Sequence, residues 1–205
     1  MERRRKGQPQ NVRAWESQPA AAVDRAAGAG EAAERSLCCA AVPAVRSSHI
    51  EVYVFRRSAR GARVLLLRRT TDRRTLPGAW QPVTGKRRAR ESAFAAARRE
   101  VREETGLTPA RWWMLETPAL YVEPVSGALI VLPRYAAEIT GAHEVQLSRE
   151  HNACAWLALP QAARRVVWGS QARGIESLGR EVVRTGPLAR ALELNVTPPR
   201  RRRRG

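Results

Sequence analysis

Three glutamates, Glu100, Glu103 and Glu104, stand at i, i+3 and i+4 in a stretch without Gly or Pro. At ~100° per residue they share one arc of a helix. Like charges so placed repel by roughly 0.2–0.5 kcal/mol per pair, so a cation is expected beside them. An all-oxygen donor set without Cys or His suits a hard ion, Mg2+ or Mn2+, and the chemistry such an ion assists. A salt-bridged surface helix, with Arg99 pairing Glu103 across one turn, is the plainer alternative on residue types alone.

The elements that must carry these groups can be read outward from them. Residues 91–105 are rich in Ala, Arg and Glu and end against Gly106, which predicts a helix with Gly just past its C-terminus. Phe94, Ala97 and Val101 form a neighbouring apolar arc fit to pack on a sheet. Ile50, Val52 and Val54 alternate with Glu51, Tyr53 and Phe55 and predict a strand, and 63–69, built round Val64 to Leu67, predicts its buried partner. A loop over 70–78 and a short extended piece over 79–84 lead to the box of acids. Strands are expected at 111–117, 128–139 and 153–158, and helices at 160–168 and 170–185. Strands in both hairpin and crossover contexts with helices between them predict an α/β fold, a mixed sheet covered by helices.

Composition bounds the rest. The 205 residues carry 37 Lys+Arg against 19 Asp+Glu, a net charge of +18, which suits either nucleic acid or a polyphosphate substrate. Residues 1–47 hold twelve Ala with no Ile or Phe and cannot bury much apolar surface, so they are expected to be a disordered extension. Residues 191–205, which carry the run Arg200 to Arg204, are expected to be a basic tail, leaving 48–190 as the folded domain. Cys38, Cys39 and Cys154 make no disulfide framework or C-x-x-C pair, which points to a reduced, cytoplasmic setting. No apolar run approaches the ~20 residues of a membrane span.

The spacing decides between the two readings of the acidic helix. Gly85, five residues, Glu91, seven residues, Arg99-Glu100, Val101, one residue, Glu103-Glu104, one residue, Gly106-Leu107 reproduces the Nudix box at every fixed position. A chance match somewhere in the chain is about one in a million at ordinary residue frequencies. The chain therefore resembles Nudix hydrolases over roughly 48–187. The resemblance implies a mixed sheet between helices and metal-dependent hydrolysis of nucleoside diphosphates linked to a further group. It implies that Glu100, Glu103 and Glu104 hold the metal and that Arg99 orients a carboxylate by ion pairing. Gly85 lets the loop approach the ion, and Glu91 supports the loop–helix junction or a metal-bound water. In this chemistry the metal neutralises diphosphate oxygens and lowers the pKa of a water, and a carboxylate takes the proton, with Glu103 and Glu100 as joint candidates. Many members have Gly before the first box Glu where this chain has Arg90, which leaves the turn before the helix open.

The flanks, Ala79 to Gly85, Glu150-His151, Trp156-Leu157 and Trp168, look most like the dihydroneopterin triphosphate pyrophosphohydrolase branch. That likeness implies Glu150 as a fourth metal ligand and Arg69 and Thr84 as substrate contacts. Trp80 is the first choice among the tryptophans for stacking a pterin or purine. His151 is expected to be structural, Cys154 plain core. The expected activity is cleavage of a nucleoside or pterin triphosphate to a monophosphate and pyrophosphate. The alternatives are a module acting on or binding RNA 5′ ends, or a dinucleoside polyphosphate or nucleotide-sugar hydrolase; Tyr121 and Pro124 do not decide between them. The partners expected are a small phosphorylated substrate and weak, non-specific nucleic acid at the Arg tails, and no membrane.

Overall fold

The computed structural model describes residues 44–59, 61–72 and 76–196. The expected extension up to residue 43 and the Arg run at its other end lie outside the described residues. The central strands are β2 (His49–Ser58) and β3 (Gly61–Arg69), an antiparallel pair. Their alternation sends Ile50, Val52, Val54, Leu65 and Leu67 to one face and Tyr53, Phe55, Val64 and Leu66 to the other, all essentially inaccessible. A sheet apolar on both faces must be covered on both.

The main sheet runs β10-β3-β2-β9-β6-β11, with the short strands β4 (Trp80–Gln81) on β3 and β5 (Val83–Lys86) on β2. Here β6 is Arg111–Met114, β9 is Arg134–Glu138, β10 is His151–Ala158 and β11 is Glu193–Leu194. β2 and β9 are parallel and the remaining pairs antiparallel, so the sheet is mixed, as expected. One face is covered by α1 (Ala93–Thr105), whose Ala97 and Val101 are fully buried and whose Phe94 meets Trp112 edge-on at 5.4 Å. The other face takes α2 (Leu159–Arg165) and α3 (Gly169–Ser177), which continues as a π-helical turn over Leu178–Val183.

Three differences from the sequence reading have simple causes. The strand expected over 128–139 is two, β8 (Leu129–Leu132) and β9, parted at Pro133, which has no N–H for a ladder. β8 lies in a second sheet, between β1 (Val45–Arg46) and β7 (Ala119–Val122). β1 comes from the last residues assigned to the extension, yet it pairs in parallel with Leu129 and Ile130. The basic tail does not begin at 191: α4 (Pro187–Leu192) runs through it, and Glu193 and Leu194 pair with Trp113 and Trp112. Leu194 and Val196 pack on the core beneath α1, which is reason enough for that segment to be ordered.

Candidate active site

The box folds as a loop that closes back on its own helix. Ser92 caps α1, its hydroxyl accepting from the Ala95 N–H at 3.1 Å, and Gly106 ends it at φ +70° with its N–H donating to Arg102 O. Before the cap, Arg90 occupies φ +62°, the left-handed region that Gly enters without strain. So the turn left open by the sequence is made all the same. Glu91 then accepts from the Arg88 N–H at 2.9 Å, and Arg87 donates to the Glu91 carbonyl at 3.1 and 2.7 Å.

Arg99 ties loop to helix. Its Nε and Nη2 reach the two oxygens of Glu91 at 2.9 Å each, Nη1 reaches Glu100 at 2.8 Å and Glu103 at 2.9 Å, and Nη2 also donates to the Lys86 carbonyl. The Glu91 carboxyl is held down to about 2, chiefly by its bonds to Arg99 and then by the Arg88 N–H. Arg99 is pinned in its charged form by the same bonds, led by Glu91. The surface-helix reading is partly right in its contacts, since Arg99 does pair Glu103, and Arg88 adds a second bond to it at 3.1 Å. What that reading does not contain is the cleft.

Thr84, Gly85, Lys86, Glu100, Glu103, Glu104, Ser148, Glu150, Arg69 and His49 line one cleft of about 630 Å³. They arrive from β2, β3, β5, α1 and the segment before β10, and local reasons bring them together. Gly85 pairs with Ile50 on β2, and a Cβ there would stand 2.0 Å from Cδ of Glu100, so only Gly leaves that carboxylate its place. Glu150 is brought in by a segment stitched to the end of α1, where the Gln146 N–H donates to Thr105 O and the Ser148 N–H to Glu104 O. Arg69 ends β3 opposite His151, and the Thr70 N–H donates to Glu150 O.

Glu104 is the electrostatic centre of this cleft. It is 6% exposed, and its Oε2 is buried with no hydrogen-bond partner. Burial first, then the charges of Glu100 and Glu150, push its carboxyl up to about 9, against the pull of Arg69. Burial also raises Glu100, opposed by Arg99. Burial, and after it the nearby Lys86, lower the pKa of the His49 imidazole. A buried carboxyl among like charges and short of a donor is a site that a hard cation would relieve. Among the described residues no three His, Cys, Asp or Glu side chains are already grouped as around an ion. The fit therefore rests on the donor chemistry and on the orphaned oxygen of Glu104.

Of the residues singled out by sequence, Glu100, Glu103, Glu104, Glu150, Gly85, Arg69 and Thr84 meet in the cleft, while Glu91 and Arg99 buttress it from behind. Trp80 does not reach it. It sits on β4 with Arg165 stacked 4.5 Å from its ring and packs on the α2 side of the sheet. His151 is buried on β10, and Cys154 is a free thiol packed against the core. A second, mostly apolar pocket of about 600 Å³ shares His49 and Thr84 with the cleft. Its lining includes Glu51, Tyr121, Trp168 and Gln171, of which only the two aromatics figure in the sequence reading, neither as first choice. The signal was faint because the wall is assembled from three distant segments.

Comparison with known proteins agrees with this geometry. In the curated set, an octanoyltransferase of Myxococcus xanthus is 36% identical over 106 residues, 51% of this chain. The match spans 29% of that protein, so the chain covers under a third of its length. An Ap4A hydrolase of C. elegans, solved as a binary complex, superposes with a TM-score of 0.56 at 22% identity, over 66% of this chain and 96% of that one. The dihydroneopterin triphosphate pyrophosphohydrolase of E. coli superposes with a TM-score of 0.53 at 24% identity, again over 66% of this chain and 96% of the other. These two differ so little that they single out no branch; at such identity they establish the fold. The model of the NUDIX domain matches residues 47–178, and with the box folded round an acidic cleft the chain belongs to the Nudix family, hydrolases of phosphorus-containing anhydrides.

Proposed function

We propose that the protein hydrolyses a diphosphate bond in a nucleoside or pterin triphosphate, releasing pyrophosphate and a monophosphate, with Mg2+ or Mn2+ held by Glu100, Glu103, Glu104 and Glu150 beside Gly85. The observation that carries this reading is the Glu104 carboxyl, buried, short of a partner and pressed by two further acids in a cleft that also holds Arg69. Family members generally use a divalent ion, and when bound it would neutralise diphosphate oxygens and acidify a water. The chain's own groups do the rest. Arg69 and Lys86 supply positive charge to the phosphates from the cleft wall, and Thr84 offers a hydroxyl. Arg99 fixes Glu100 by one oxygen, leaving its second to take the proton of the attacking water, while Arg99 and Arg88 hold one oxygen of Glu103 each, so that Glu103 would accept the proton on a remaining lone pair. Glu91 holds Arg99 in that position from the loop.

No helix among the described residues is long and apolar enough to cross a membrane. With a free thiol at Cys154, a reducing, cytoplasmic setting suits this chemistry. The test is pyrophosphate release from a panel of nucleoside triphosphates, neopterin triphosphate and a dinucleoside tetraphosphate, with Mn2+ or with EDTA. Release of pyrophosphate from a triphosphate only with metal is expected. Activity in EDTA, or cleavage confined to the dinucleotide, would overturn the proposal.

A further inference from the structure

The second pocket carries information about the group beyond the phosphates, and reading it rests on the function proposed above. It opens beside the acidic cleft, sharing His49 and Thr84, so a substrate with its phosphates at the glutamates would place its organic part there. Tyr121 on β7 and Trp168 at the start of α3 line it and remain about half exposed, available to stack on a planar ring. Two of its buried polar side chains, Glu51 and Gln171, hold acceptor oxygens that are short of donors.

Gln171 is 5% exposed and its amide oxygen Oε1 is buried with no hydrogen-bond partner. Glu51 is 2% exposed, and both its donors, the Tyr53 hydroxyl and Arg134 Nε at 2.7 Å each, bond the same oxygen, Oε2. The Oε1 lone pairs are left for another donor. The two acceptors belong to one network: the Tyr53 hydroxyl also lies 3.3 Å from the Gln171 carbonyl, and Arg134 Nη2 donates to the Ser170 carbonyl at 2.6 Å. A buried acceptor without a donor is costly, so the ligand that relieves it is the one the pocket selects.

We infer that this pocket selects a heterocycle presenting a 2-amino-4-oxopyrimidine edge, an N–H and an adjacent NH2, to the free oxygens of Glu51 and Gln171. Guanine and pterin share that edge. Adenine offers an acceptor nitrogen beside its amino group and sets lone pairs against the carboxylate, and hypoxanthine lacks the 2-amino donor. A carboxylate already neutralised by Arg134 reads the edge without adding an unpaired charge.

The test is calorimetric binding to the full chain without metal, which does not depend on hydrolysis. The probes are GMP against IMP and AMP, and neopterin against its lumazine analogue, in which oxygen replaces the 2-amino group. At least one 2-amino ligand should bind at least tenfold tighter than its partner lacking that group. The pair showing the gap identifies guanine or pterin as the source. Gln171→Met, close in volume but with no acceptor amide, should shrink that gap to threefold or less. Gaps under tenfold for both pairs in the unaltered protein, AMP binding tightest, or a gap above threefold that survives Gln171→Met would each overturn the inference. Failure of pyrophosphate release with these preferences intact would instead count against the proposed reaction alone.

Discussion

Replacing Glu104 with Gln should make the metal-free protein more stable at neutral pH while removing its activity. The carboxyl titrates near 4.5 when unfolded and at about 9 in the fold, so between those values the folded state holds a proton the unfolded chain has released. Stability then falls as pH rises, by about 1.4 kcal/mol per unit. From pH 4.5 to near 7.5 the loss reaches about 4 kcal/mol, and it is the same whether the folded value is nearer 8 or 10. Gln resembles the protonated acid and never needs the proton. After the cost of burying its amide, a gain of about 2–4 kcal/mol near pH 7.5 remains, shrinking to within ~0.5 kcal/mol near pH 4.5. Urea unfolding in EDTA at the two pH values measures this directly. Metal-dependent turnover of Glu104→Gln should fall by about two orders of magnitude or more, as for loss of a group stabilising charge in the transition state. A destabilised Glu104→Gln near pH 7.5, or a difference that does not change with pH, would refute this account of the cleft.

Arg90→Gly should raise stability by about 0.5–1 kcal/mol in urea unfolding, because the residue sits at φ +62° and Gly gives back only part of that gain in chain entropy. Gly85→Ala should leave the melting temperature within a few degrees, since the flexible Glu100 side chain can swing away. Turnover should fall about a hundredfold or more, because the displaced group is a carboxylate of the cleft. Arg99→Lys keeps the charge but cannot reach Glu91, Glu100, Glu103 and the Lys86 carbonyl together, so kcat should drop about tenfold or more with KM little changed.

The acidic helix and its loop were legible because their chemistry is local in sequence: a helical period, a Gly at either end and an Arg among the acids fit within 23 residues, 85–107. The sheet core was legible for the same reason, through the period-two pattern of 50–55 and the run 64–67. The second pocket was not. Its floor comes from β2, one wall from β7 and the other from α3, and nothing within any one segment marks Gln171 as facing Glu51. β7 itself is four residues between Pro118 and Pro124, too short for a periodic signal. Trp80 stands next to the box in sequence, but the strand turns it to the opposite side of the sheet, while Trp168, 88 positions later, lines the pocket. β11 was hidden by its neighbours, since Glu193-Leu194 borders a basic tail and is recruited by pairing with β6 and by the packing of Leu194 on the core, both distant in sequence.

Tyr53 and Gly174 place a limit on how this protein can change. A Cβ at position 174 would lie 1.8 Å from the Tyr53 hydroxyl and 2.3 Å from its ring carbon, so even Phe at 53 would not make room for Ala at 174. The two positions can drift only together, through a much smaller residue at 53, and that change would also strip a donor from Glu51. Descendants of this sequence that acquire a new substrate are therefore expected to vary at the half-exposed rim, Leu120 to Val122 and Trp168, and to keep the pair beneath it.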